Sequence, residues 1–523
     1  MKLLYWRVLS IVMAITAIVA VASTARTFSA TVDEPAHLAA GMEWLSTGRY
    51  TYDLPHPPIG RLAIAIGPYL HGEHTFGRTE LYDEGAAIIG SGQHYVDTLA
   101  SARHGVLIFL ILLCGAVWVW GKRLGGEVIA ALALLFTVTN PTVLAHAGLA
   151  TTDMACAATT ILALFAATYW AERPSIQRAI FFGAASGAAM GSRLSAIAFV
   201  IGPVGVCYLL RAWAERRWSF ANLKASRVVM QIVIAIVAAL AVILAAYRFE
   251  LAPFIEGIKL FVAHGDRGHY TYLFGKPGYR GWWYYFPVAL LVKTPLPLLA
   301  LAIVGGFVAI RDLRTKREWL GAVPLVSALT ILGISLRVHV DLGVRLVLPI
   351  YPLMAIVAAQ GARELWNQKP ARIGRTATAL FALASIFIVV RTHPDHLSYF
   401  NAFAGDHPEQ ILVDSNLDWG QDLYRLRDTL RARGVRDSVY IAYFGTTSPD
   451  SAGIPKSRFM ELHERPTGWI AASETFLAGE WVGSAYFWLN AEPPIARIGK
   501  GMRLWYFAPP PPPLIPTRAQ SPR

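Results

Sequence analysis

The 523-residue chain is poor in charge: 15% of its residues are Asp, Glu, Lys or Arg, against 55% that are hydrophobic. A soluble globular chain carries about a quarter charged residues, so the deficit argues against a string of water-soluble domains. A mean hydropathy of +0.43 points to lipid instead. Cysteine is scarcer still. The three present, Cys114, Cys156 and Cys207, all lie inside apolar runs; they cannot staple an exported domain and read as small core hydrophobes. Acidic residues number 34 against 47 basic ones. In a soluble protein the resulting +13 would suggest nucleic acid, but membrane proteins gather Lys and Arg in cytoplasmic loops for topological reasons. No nucleic-acid partner is expected.

What the chain has in abundance is long apolar runs. A bilayer core needs about 20 apolar residues per helix, and runs of that order begin near residues 4, 103, 127, 153, 178, 195, 228, 287, 320, 346 and 374. The expected architecture is an α-helical polytopic membrane protein of about eleven transmembrane helices. Lys2 and Arg7 before the first run also fit a secretory signal, but the later spans favour an uncleaved first helix. With the N-terminus in the cytoplasm, the short loops on that side hold Lys122 and Arg123, then Arg173 and Arg178, then Arg211, Arg216, Arg217, Lys224 and Arg227. Further on they hold Arg311, Arg314, Lys316 and Arg317, then Arg363, Lys369, Arg372 and Arg375. This is the asymmetry that sets orientation.

The same parity puts three long segments outside: residues 23–102, about 248–286, and everything after about 392. The first contains two amphipathic stretches, Ala36 to Leu45 and Leu62 to Leu70, suited to lying along the membrane surface. The division expected is a transmembrane domain over 1–391, a small extracytoplasmic α/β domain over 392–507, and a Pro-rich disordered tail over 508–523. In the second, Ile411 to Val413, Ser438 to Phe444 and Trp469 to Ala472 read as strands, and Gln421 to Arg433 as a helix.

Chemistry-bearing residues concentrate in the outer segments. Asp33 and Glu34 are adjacent, so their side chains leave a helix or strand in different directions, and one can serve a reaction while the other binds or orients. A second reading is helix capping, with Asp33 as cap and Glu34 in the first turn before Pro35. His37 follows on the same segment. His56-Pro57-Pro58 and Arg61 form a rigid turn carrying two cations, and Asp153 opens a span beside Thr151 and Thr152, where capping is again the commoner use. Asp414, Asn416 and Asp418 invite a calcium loop, but Gly420 falls one place late and Arg425 stands where a bidentate Glu is required. Asp418 with Gln421 reads better as a capping pair opening the tail helix.

The Asp33-Glu34 pair heading a long first external loop, the His56-Pro57-Pro58 turn and Asp153 resemble the membrane glycosyltransferases of the protein O-mannosyltransferase and aminoarabinose lipid A transferase type, the GT-C superfamily. Gly343-Val344-Arg345-Leu346-Val347-Leu348-Pro349 is similar to that family's Gly-x-Arg-Tyr-x-x-Pro element, with Leu346 in the place of the Tyr. Gly281-Trp282-Trp283-Tyr284-Tyr285-Phe286-Pro287 leading to Lys293-Thr294-Pro295 matches in character, so the resemblance runs from the N-terminus to about residue 391. The tail segments Ser398-Tyr399-Phe400-Asn401 and Asp414 to Asp422 look like those of a bacterial branch.

The resemblance implies a polyprenyl-phosphate sugar donor held by membrane lipid, an acceptor glycan, lipid or protein, and a bacterial plasma membrane with the chemistry on its outer side. It places the catalytic carboxylate at Asp33, acting as base in a single inverting displacement. Glu34 and Asp153 are then left to orient the acceptor, hold its sugar, or bind a divalent ion; no cofactor is certain. The departing phosphate needs cations: Arg345 first, for its planar fork, then Lys293, costly in lipid without an anionic partner, with His56 and Arg61 assisting. His37, Tyr284 and Tyr285 are candidate sugar or acceptor contacts. A transporter, or an inactive assembly protein on the same scaffold, are the competing readings.

Overall fold

The computed structural model describes residues 2–90, 94–216, 225–454 and 456–509. The Pro-rich tail expected to be disordered lies, from residue 510 on, outside them. Each of the eleven expected runs falls on helix, but seven of the described helices are long and apolar enough to cross a membrane: Leu4–Thr24, Tyr95–Val138, Asp153–Glu172, Ser195–Glu215, Ser226–Ala246, Leu296–Lys316 and Ala371–Thr392. The other expected runs fall on shorter or broken helices. Tyr95–Val138 holds two of the expected runs, because Gly125 and Gly126 leave helical geometry, Gly126 at φ 77°, and break it into two arms. Ile176–Ser192 and Val323–Ser335 have 17 and 13 residues, short of a full span. The run near 287 is a nine-residue helix, Tyr285–Lys293, followed by extended Thr294. Pro295 disfavours helical geometry in the residue before it, so the span proper starts at Leu296.

One end of the bundle gathers the basic loops. Arg7 pairs with Glu127 at 2.8 Å, which also takes Lys122; Arg123 pairs with Glu172; Arg211 bonds the Ala171 carbonyl. Arg317 bonds the Trp213 carbonyl at 3.0 Å, Arg363 that of Gly125 at 3.3 Å, and Arg311 pairs with Glu364 at 2.7 Å. The helices of the first long loop lie at the other end. Glu34–Thr47 is buried from Glu34 through Glu43, so it is enclosed by its neighbours and does not lie on a surface as expected. Pro58–Leu70 packs against it and against Tyr95–Val138, leaving Ile66, Tyr69 and Leu70 exposed.

The C-terminal module is a five-stranded mixed sheet in the order Ser457–Phe459, Val439–Ala442, Gly468–Ser473, Met502–Phe507, Ala496–Ile498. Val439–Ala442 pairs in parallel with both neighbours and the remaining pairs are antiparallel. Ile411 to Val413 is not a strand: it lies between the 3-10 turns Pro408–Gln410 and Asp414–Asn416, and the Ile411 carbonyl takes the amide of Phe274. The tail helix is Leu423–Ala432. Asp418 does not cap it; its carboxylate accepts the amides of Gly420 and Thr475, tying the segment to the end of the sheet. The module is bonded to the first loop through Ser29 N to Gln421 O at 3.2 Å, Val32 N to Trp419 O at 3.0 Å, and Thr446 to the Val32 carbonyl.

Candidate active site

Three segments far apart in sequence converge on Arg345. Its Nη1 donates to Asp33 Oδ2 at 2.6 Å and stands 3.9 Å from Asp153 Oδ2. Asp33 precedes the helix Glu34–Thr47 without capping it through its side chain, and that freedom leaves the carboxylate for Arg345. Asp153 begins its helix and is enclosed: Arg193 pairs with its Oδ1, and Thr151 donates to its Oδ2 at 2.9 Å. Burial would depress the Arg345 charge, but Asp33 and then Asp153 more than offset it and raise its proton affinity. His146 lies 3.9 Å from Asp153 Oδ2 with no hydrogen bond at Nδ1; burial lowers its pKa to about 4, leaving a neutral ring.

The arginine is aimed by backbone and by the tail. Gly343 sits at φ 87°, and a Cβ there would come within 2.2 Å of Ser415 Oγ, so no other residue fits. The Val344 amide is received by Asn416 Oδ1 at 3.0 Å and the Gly343 amide by the Tyr285 hydroxyl at 2.9 Å. The guanidinium lies 4.2 Å from the Trp419 ring centroid, a cation–π contact worth about 2 kcal/mol when desolvated. The segment from Asp414 to Asp422, which carried no chemistry when read as sequence, is the platform under Arg345.

Several candidates prove to be engaged elsewhere. Glu34 is 0% exposed. Arg103 grips its two oxygens at 2.7 Å each, and the amides of Thr31 and Ala150 complete the shell at 2.7 and 2.8 Å. The adjacent carboxylates do diverge: one reaches Arg345, the other a structural arginine. Lys293 donates to the carbonyls of Leu397 at 2.7 Å and Asn416 at 2.6 Å and sits over Phe400, so it clamps the tail to the bundle. Arg61, also 0% exposed, pairs with Asp53 and donates to His37 at 3.2 Å, Tyr50 at 3.0 Å and two backbone carbonyls. His37 is buried and held neutral, by desolvation first and Arg61 next. His56 is partly open and bonds Asp53 at 2.9 Å, with its ring 5.5 Å from His37. The buried Tyr285 hydroxyl accepts from the Gly343 amide and from Asn416 Nδ2; Tyr284 is half-buried next to Trp283.

Tyr82, which sequence reading passed over and which is 44% exposed, stands within electrostatic reach of both clusters. Its phenol is pushed upward chiefly by Asp33, then by burial and Asp53, and is eased by Arg345 and Arg61. Arg193 and Arg103 were also missed, although a lone arginine within an apolar run is itself a signal. For a divalent ion the donor set is unsuitable: Glu34 and Asp153 each have an arginine on their carboxylate. Among the described residues no three His, Cys, Asp or Glu side chains group as metal ligands do.

A model of the Alg9-like mannosyltransferase family matches residues 88–415, well over half of the chain. The chain belongs to that family. It is a multi-pass membrane glycosyltransferase, and the readings as transporter or inactive assembly protein fall away. No curated protein matches it by sequence. Among solved structures, ArnT from Cupriavidus metallidurans bound to undecaprenyl phosphate is similar over 94% of this chain and 97% of its own, at 14% identity and a TM-score of 0.52. Its apo state gives 0.53 at the same identity and coverage. The oligosaccharyltransferase of Archaeoglobus fulgidus aligns over 82% of this mannosyltransferase-family chain and 58% of its own, at 12% identity and a TM-score of 0.49. The likeness to ArnT establishes a GT-C fold for this family member. Asp33 and Trp419 both lie outside the matched span.

Proposed function

We propose that the protein transfers a mannosyl residue from a polyprenyl-phosphate carrier to an acceptor hydroxyl, at the non-cytoplasmic face of a bacterial plasma membrane. The observation that carries this reading is the sharing of the Arg345 guanidinium by Asp33 and Asp153. The basic loops at the opposite end of the bundle support the orientation, and the undecaprenyl phosphate bound by ArnT supports the carrier.

Phosphate oxygens arriving at Arg345 compete with Asp33 for the same guanidinium, whose planar fork suits them better than one carboxylate oxygen. Displaced from Arg345, Asp33 is a free carboxylate beside the acceptor. It takes the hydroxyl proton as that oxygen attacks the anomeric carbon from the face opposite the phosphate. The carbon–oxygen bond to phosphate breaks, the electron pair leaves on polyprenyl phosphate held by Arg345, and the anomeric configuration inverts. Asp153, gripped by Arg193, is a fixed anion that keeps Arg345 in place throughout. In this reading residues 1–391 hold the donor, and the module over 392–507 closes the site from outside.

The test supplies the purified full chain in lipid nanodiscs with undecaprenyl-phosphate-linked mannose and a membrane extract as acceptor. Release of undecaprenyl phosphate with an inverted glycosidic product is expected. Transfer from GDP-mannose with no use of the lipid-linked donor would overturn the assignment.

A further inference from the structure

Beside the platform under Arg345 the C-terminal module holds a second group of side chains, reached through Asp414, that the reaction above does not use. Asp414 and Glu480 are 4% and 2% exposed. Asp414 adjoins Ser415, which bonds the Leu342 carbonyl behind Arg345 at 2.9 Å, and its carboxyl feels Arg345, Asp33 and His269. Burial pushes the Glu480 carboxyl well up, Asp414 adds to that, and no hydrogen bond eases it among the described residues. Glu480 is thus nearly enclosed, and a carboxyl so placed gains when a ligand supplies its hydrogen-bond partner.

Next to Glu480 stands Trp481, at φ 70°, a backbone conformation that a bulky residue adopts at a cost of about 1–3 kcal/mol and that concentrates at functional sites. Its ring lies 4.9 Å from His269 and 5.0 Å from Tyr270, both on the loop after Ala252–Arg267. Trp481 keeps 40% of its surface open and Tyr270 44%. Two chain segments thus bring half-open aromatic rings beside a buried carboxyl pair. A pyranose has both complements, an apolar face of C–H bonds for the rings and a rim of hydroxyls for the carboxyls, whereas a phosphate would have to approach two acidic groups.

We propose that Trp481, Tyr270, Asp414 and Glu480 form a subsite for a neutral pyranose of the acceptor, next to the catalytic Asp33. The acceptor is then a glycan, and its terminal sugar is held by the C-terminal module while Arg345 holds the donor. The inference rests on the proposed function for its place in the reaction, but its binding test does not need turnover.

Full-length protein in nanodiscs is titrated with mannobiose and with chitobiose by saturation-transfer NMR, and in parallel with undecaprenyl phosphate. At least one disaccharide is expected to bind. Trp481→Ala and Glu480→Gln should each weaken it about tenfold, with undecaprenyl phosphate affinity unchanged and Trp481→Phe close to wild type. If Trp481→Ala does not fold, Glu480→Gln and Trp481→Phe carry the test. Disaccharide binding indifferent to Glu480→Gln, binding of neither disaccharide, or a parallel loss of undecaprenyl phosphate affinity would overturn the subsite. Sensitive disaccharide binding in a wild-type protein that transfers no mannose would instead sink the proposed function and leave the subsite standing.

Discussion

Asp33 and Glu34 are neighbours of the same charge, and the structure predicts opposite consequences for removing that charge. Glu34→Gln exchanges one oxygen for an NH2 group in a shell of N–H donors, Arg103 on both oxygens and the amides of Thr31 and Ala150, with the Thr31 hydroxyl beside Oε2. Whichever way the amide turns, it sets an NH2 against an N–H, and Arg103, 1% exposed, loses its counter-charge. Breaking such a pair costs about 3–5 kcal/mol, a large share of the stability of an ordinary domain. Asp33→Asn is different. Asp33 is 22% exposed, and its partner Arg345 keeps Asp153 and the Trp419 ring, so the stability change should stay within about 1 kcal/mol. Transfer should fall by about 10²–10⁴-fold, the usual contribution of a general base. The two properties separate in one experiment: thermal unfolding of each purified variant by tryptophan fluorescence, with turnover of lipid-linked mannose measured on the fraction that remains folded. Glu34→Gln should melt early yet turn over normally per folded molecule; Asp33→Asn should melt like wild type and scarcely turn over. A Glu34→Gln protein of wild-type stability, or an Asp33→Asn protein of wild-type turnover, would refute the division of labour.

Other substitutions probe how Arg345 is used and held. Arg345→Lys keeps the charge but loses the fork, so kcat/KM for the lipid-linked donor should drop about 10–100-fold, the worth of one charge-assisted hydrogen bond; an unchanged value would show that charge alone suffices. Trp419→Leu should cost about tenfold in the same constant through the lost cation–π contact, while Trp419→Phe retains most of it; equal effects would point to packing. Lys293→Met removes the donor to the Leu397 and Asn416 carbonyls and should make the 392–416 segment protease-sensitive, whereas a donor-phosphate role would raise donor KM and leave proteolysis unchanged. Burial lifts the Asp341 carboxyl to about 7, so the folded state holds a proton that the unfolded chain releases above about pH 4. The stability this contributes is full below that pH and lost as pH rises through about 7. Asp341→Asn, which can still accept the Trp282 amide, should flatten that decline in unfolding measurements, and an unaltered pH profile would exclude Asp341 as its source.

The apolar runs made the polytopic class legible because lipid demands length and apolarity from each helix separately, with little help from tertiary context. Asp33, Asp153 and Arg345 stand out for a related reason, since ions at the mouth of an apolar bundle are costly, and the structure brings the three together. What the residues did not disclose was the partner that each charge would meet. Nothing near Glu34 says that Arg103 will enclose it, and nothing near Lys293 says that two carbonyls of the tail will meet its ammonium. Cost in lipid was rightly inferred for Lys293, but carbonyl oxygens compensate it as well as a phosphate would. Arg61 is a similar case, since Tyr50 and Asp53 curl back over it within one loop. Ile411 to Val413 misled because three apolar residues bury equally well as a strand or between two turns.

The tail module is part of the arginine's setting. Ser415 packs so closely on Gly343 that a Cβ there would meet its hydroxyl, and Asn416 receives the next amide while holding Tyr285, which receives the one before. Trp419 then lies under the guanidinium, and Lys293 pins Asn416 from the bundle side. Removing any one of these leaves an amide, a carbonyl or a cation without its partner in an enclosed place, where the cost is highest. The family match ends at residue 415, four residues before the ring that supports Arg345. A related chain without this tail must therefore support its arginine by another route, and a platform grafted from residues 414–422 would have to bring the Lys293 clamp with it.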